Sequence, residues 1–185
     1  MNSARTLADR FRTQRTDRIR VDGIEVLSMT EIQVERDATV EVIVESSRSD
    51  VEQSLHIRAR RAELEVVEHA VLDDEDYELD STIISDNLTI VANQPRRLEF
   101  VLAPEESDKD NSSKNKSSKS SKPAVLQLWN SWLLGEAEHA WTGNSGIVVE
   151  ELDPPAEAKS QMRLWCSDGL GDPQFDDLVV LVTVG

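Results

Sequence analysis

The sequence predicts an all-β fold, an antiparallel β-sandwich with the jelly roll as one form open to it, and three observations carry that expectation. Apolar residues recur with period two in Val40, Val42 and Val44, in Leu55, Ile57 and Ala59, and in Leu98, Phe100 and Leu102. That spacing puts each set on one face of a half-buried antiparallel strand. Turn-forming clusters separate the apolar segments: Arg36-Asp37, Ser47 to Asp50, Asp73 to Asp76, Asp86-Asn87, Asn93 to Pro95 and Gly143 to Gly146. No strong 3.6-residue pattern lies between the segments, which argues against a parallel α/β sheet.

Taken in order, residues 3–15 read as a short amphipathic helix, with Ser3 as its cap and Leu7 and Phe11 four residues apart. A helix that short is stable in water only when it docks. Residues 1–20 read as a basic N-terminal arm and 21–185 as a single sandwich domain. Strands are expected at 23–28, 31–35, 40–44, 55–60, 63–67, 82–85, 87–92, 97–102, 124–129, 146–151, 161–166 and 178–184. Residues 105–122 interrupt this series, because Ser107 to Lys122 contains only Ser, Lys, Asp and Asn. Such a stretch has no apolar area to offset the entropy of ordering, so it is predicted to be a disordered insertion. Loop length costs little, since each doubling adds only about 0.6 kcal/mol.

The chain of 185 residues is long enough to bury a core without staples, and its single cysteine, Cys166, forms no internal disulfide. It opens without the apolar run of a secretory signal, and no stretch approaches the roughly 20 apolar residues of a membrane helix. The expectation is a cytoplasmic protein with no membrane partner. Its net charge is −16. Residues 1–20 carry six Arg and two Asp, and residues 107–122 carry five Lys and two Asp; removing this +4 and +3 leaves −23 on the other 149 residues. An acidic body repels nucleic acid and anionic membranes.

All four tryptophans, Trp129, Trp132, Trp141 and Trp165, lie in the last third of the chain, and five of the seven glycines fall there between Gly135 and Gly171. Aromatic rings at a sandwich end can form a ligand platform, and Trp129, Trp132 and Trp141 are the candidates for binding a protein or carbohydrate; the competing reading places them in the core. A second cluster runs from Ser167 to Val180 and holds Asp168, Asp172, Asp176 and Asp177 within ten residues. Ca²⁺ takes several oxygen ligands on a tightly turning loop, and a cation relieves carboxylate repulsion. The competing reading is an acidic turn whose Asp side chains accept backbone N–H groups. The EF-hand spacing is absent.

The run Asp172-Pro173-Gln174-Phe175-Asp176-Asp177-Leu178-Val179-Val180 resembles the acidic loop and closing strand of certain bacterial calcium-binding β-sandwich domains, where a D-x-D-[FY]-N-D-[LV]-V stretch precedes the last strand. The resemblance implies bound calcium. Gln174 stands where that pattern has an acid and Asp176 where it has Asn, which removes one candidate ligand. Thr142-Gly143-Asn144-Ser145-Gly146 resembles the segment around the nucleophile of chymotrypsin-like serine proteases. The base histidine's context is missing around His56, His69 and His139, and a serine without a positioned base is a weak nucleophile. The other reading of this stretch is a tight hairpin turn. No zinc cluster, P-loop or dinucleotide fingerprint is present. The leading expectation is a non-enzymatic binding module using residues 129–177, stiffened by calcium. The alternatives are a self-assembling structural protein, a homo-oligomer with a basic arm, and a hydrolase using Ser145 or the carboxylate loop.

Overall fold

A computed structural model of the protein describes residues 5–47, 50–71, 83–92, 96–103 and 122–185. Within them the order is α1 (Leu7–Gln14), β1 (Arg18–Val21), β2 (Ile24–Leu27), β3 (Thr30–Val34), β4 (Thr39–Ser47), β5 (Gln53–Arg60), β6 (Glu63–Val71) and β7 (Ile83–Ser85). There follow β8 (Asn87–Val91), β9 (Arg96–Ala103), β10 (Ala124–Leu134), β11 (Ala137–His139), β12 (Asn144–Leu152), β13 (Ser160–Gly169) and β14 (Leu178–Val184). Every strand pair is antiparallel.

Two sheets face each other across one core, so the fold is an all-β sandwich. The larger sheet runs β1-β2-β12-β13-β14-β4-β9-β6-β7; the smaller runs β11-β10-β5-β8, with β3 also on β10. β3 pairs with Ala124 to Leu128 and β11 with Trp132 to Leu134, so the two strands border different stretches of β10. Period-two alternation delivers the inner faces. Val40, Val42, Val44, Phe100, Leu164, Val180 and Val182 from one sheet meet Leu55, Ile57, Leu126 and Leu128 from the other, all buried. Burying such a side chain contributes about 1.5–3 kcal/mol, which is what orders the otherwise marginal strand pairs.

At one end the core changes character. Gln53, Asn130, Ser145, Ser167 and Asp168 are all buried there. The strand expected at 124–129 therefore runs on to Leu134: Asn130 and Ser131 are polar, yet they continue β10 because polar partners await them. Two further strands, β1 and β11, are too short to show a period.

α1 is capped by Thr6, whose Oγ1 accepts the Asp9 N–H at 3.2 Å; Ser3 lies outside the described residues. The helix docks through Leu7 and Phe11 onto Ile19 and Val26 in a second, smaller apolar cluster. Residues 7–21 thus form α1 and β1 and pack on the sandwich edge. The insertion expected at 105–122 falls outside the described residues except for Lys122, which leads through Pro123 into β10. No described helix is long and apolar enough to cross a membrane.

Candidate binding surface

The alternation along β10 sorts the tryptophans. Leu126, Leu128, Asn130 and Trp132 share the inner face, and Trp132 is only 2 % exposed. Trp129 has the opposite parity and stands on the outer face, directly across from His56 of β5. The two rings stack, 5.0 Å between centroids and 6° between planes. Trp141 covers Trp129 on another side at 5.5 Å, tilted by 32°. Trp129 and Trp141 thus come together on the surface, and Trp132 is separated from them by the thickness of the sheet. Trp165, on the outer face of the larger sheet, donates to Glu150 at 2.9 Å and lies under the Arg163 guanidinium.

Trp141 is the unusual member. It sits between β11 and β12 at φ 56°, a left-handed conformation that bulky residues rarely take. Its indole Nε1 donates to the Ser28 carbonyl at 3.1 Å, and its side chain is half exposed, at 50 %. It opens onto a groove of about 690 Å³ whose other wall is α1 and the turn after it. Ala8, Phe11 and Met29 supply apolar lining, with Arg12, Arg15 and Asp17 as the charged groups. Arg12 also pairs with Asp9 at 3.1 Å.

A polar cluster fixes the His56 end of the aromatic row. Nε2 of His56 lies 2.8 Å from Ser131 Oγ and 2.7 Å from Glu138 Oε1, and Ser131 Oγ donates to the same Glu138 oxygen at 2.6 Å. Nδ1 lies 3.1 Å from Thr89 Oγ1. The Ser131 hydroxyl, and after it His56, hold the Glu138 carboxyl below its ordinary range. Serine and carboxylate meet the same ring nitrogen, a closed triangle rather than a relay, and Ser131 is buried. The arrangement orients the ring beneath Trp129.

The acidic stretch takes a different form. Asp168 is buried: Oδ1 accepts the Leu170 N–H at 2.8 Å and Oδ2 accepts from Gln53 Nε2 at 3.2 Å, across the two sheets. Asp177 Oδ2 accepts the Asp168 N–H at 3.0 Å. Burial, with Asp168 and Asp176 nearby, pushes the Asp177 carboxyl above its ordinary range. Asp172 is exposed and Asp176 half-buried. Among the described residues no three His, Cys, Asp or Glu side chains converge as a metal ion requires. Burial likewise pushes the Cys166 thiol far up, which makes it a poor nucleophile.

The stretch around Ser145 proves structural in its contacts. The turn lies earlier than expected, with positive φ at Trp141 and Gly143, and Asn144 already opens β12. Asn144 Oδ1 accepts the Leu7 N–H at 3.0 Å while its Nδ2 donates to Gly171 O at 2.6 Å, tying α1 to the acidic loop. Ser145 is buried opposite Asp168. Sequence reasoning missed His56, Glu138 and the α1 wall. Strand parity points to His56, but nothing local marks the other two. Comparison with family profiles, with curated proteins and with solved structures finds no match to this chain.

Proposed function

We propose that the protein is a non-enzymatic binding module whose recognition surface is the groove between Trp141 and α1, continued by Trp129 and His56 across the smaller sheet. The observation that carries this reading is Trp141: a large ring held half-exposed at φ 56°, fixed by the Ser28 carbonyl and by Trp129, and facing a groove. A left-handed backbone costs a non-glycine residue about 1–2 kcal/mol, and such strain clusters where geometry serves binding. Burying the ring would have been the cheaper solution, as at Trp132. The apolar lining and the two arginines suit a partner that brings a flat apolar face together with an anionic group. A protein segment or a carbohydrate meets that description.

The test is capture from an immobilised peptide and glycan panel by the full chain and by Trp141→Ala. Wild type is expected to retain a set of ligands that the variant loses at least tenfold, with the melting midpoint of the variant within a few degrees of wild type. Equal capture by both proteins would overturn the assignment of the groove.

A further inference from the structure

We infer that the groove's occupant is the segment Asp73–Asp80 of a second copy of this chain, so that copies join head to tail; the inference rests on the groove being the recognition surface. The complementarity is chemical. The groove offers a tryptophan face, Phe11 and Met29, with two guanidinium groups, Arg12 and Arg15, against the one carboxylate of Asp17 in its lining, and Arg12 also holds Asp9 at 3.1 Å. Both arginines line the same groove, Arg12 from the last turn of α1 and Arg15 from its C-cap. The chain carries one stretch that matches: Asp73-Asp74-Glu75-Asp76-Tyr77-Glu78-Leu79-Asp80 places six carboxylates around the chain's only tyrosine. A tyrosine ring stacks on an indole, and in an extended segment the carboxylates one and two residues away lie within about 7 Å of it.

The topology assigns the contact to a neighbouring copy. The strands that bracket the segment, β6 and β7, end the larger sheet on one side, and β1 and β2, next to the groove, end it on the other. Five strands separate β2 from β6, a span of about 29 Å at the usual spacing of about 4.8 Å. Eleven residues stand in sequence between β6 and β7, and the midpoint of a linker of that length, even fully extended, spans no more than about 20 Å from its ends. In the inferred head-to-tail arrangement each groove takes the segment of the next copy, which extends a chain of copies or closes a ring. The acidic bodies repel one another, but at physiological salt that field is screened beyond about 8 Å, and guanidinium–carboxylate contacts act within it.

Sedimentation velocity of the full chain over micromolar to millimolar concentration decides the matter. Two variants are compared with wild type. One carries Arg12→Glu and Arg15→Glu; the other carries Asp73→Asn, Asp74→Asn, Glu75→Gln, Asp76→Asn, Tyr77→Ala and Glu78→Gln. Wild type is expected to form species larger than a dimer as concentration rises, and each variant alone to remain a monomer. An equimolar mixture of the two is expected to stop at a heterodimer, because each brings one intact face. Should the glutamates disturb α1, Arg12→Gln with Arg15→Gln replaces them and is expected to weaken association at least tenfold. A wild-type monomer at every concentration overturns the inference, as does assembly of either variant alone or a mixture that stays monomeric while wild type assembles. If wild type is monomeric and Trp141-dependent capture from the panel persists, this inference alone falls and the groove stands as the binding surface.

Discussion

At the scale of single residues, the end of the sandwich near Trp141 is shaped by a glycine against which backbone and a core ring pack closely and by buried polar side chains, of which Asp168 is hydrogen-bonded while Gln53 Oε1 and Trp132 Nε1 have no hydrogen-bond partner among the described residues. Gly169 has φ +90°, and a Cβ there would stand 2.6 Å from both the Thr142 carbonyl and the buried Trp132 ring. Neither backbone nor a core indole yields easily, so Gly169→Ala is expected to destabilise the protein by about 2–4 kcal/mol. Gly135 also has a positive φ, +66°, but nothing lies within 4 Å of its added Cβ. Gly135→Ala is expected to cost only about 1 kcal/mol. Urea titration of both variants checks the pair, and equal losses would mean that the packing around Trp132 is looser than described. Asp168 shows the polar half of the same logic. Its carboxylate satisfies an N–H from its own loop and an amide from the opposite sheet, where a missing acceptor costs about 1–3 kcal/mol per donor.

Among the elements, the loop between β13 and β14 and the cluster at β11 contain carboxylates whose titration runs in opposite directions. The folded state raises Asp177 above its ordinary 3.8, chiefly through burial. It therefore holds a proton more readily folded than unfolded, and its charged form opposes folding at neutral pH. Compared with Asp177→Asn, wild type should gain relative stability as pH falls from 7 through the raised value toward 3.8. Glu138 is lowered from its ordinary 4.5, first by Ser131. Its contribution is present above 4.5 and is lost as pH falls through the lowered folded value, so the advantage of wild type over Glu138→Gln should shrink in acid. Urea midpoints of the three proteins between pH 3 and 7 test both signs, and parallel curves would contradict them. The hydrogen bonds that occupy Asp168 and Asp177 also predict the same melting midpoint in calcium and in chelator. A rise of several degrees with calcium would instead make the cation implied by the sequence resemblance a part of the fold.

Over the whole molecule, what the sequence makes legible is whatever repeats. Val40, Val42 and Val44, or Leu98, Phe100 and Leu102, announce their strands and inner faces because every second residue meets the core. The same parity carried past residue 129 separates Trp132, on the Leu126 and Leu128 face, from Trp129, on the other. The groove has no such signature. Its walls come from α1 and from Trp141, more than a hundred residues apart, and meet where Leu7 and Phe11 dock the helix and Asn144 and the Gly143 carbonyl hold its start. The acidic stretch 168–177 draws attention in sequence by composition, yet its Asp168 and Asp177 carboxylates accept from N–H groups of the protein itself. The two candidate regions make different demands on one spectrum. With a ligand captured from the panel added to the full chain, the indole N–H of Trp141 and the amides of Leu7 to Arg15 should shift in the two-dimensional ¹H–¹⁵N correlation, while Trp165 and the amides of Asp168 to Asp177 stay in place. Shifts confined to Asp168–Asp177 with Trp141 unmoved would contradict the account and place recognition at the acidic loop.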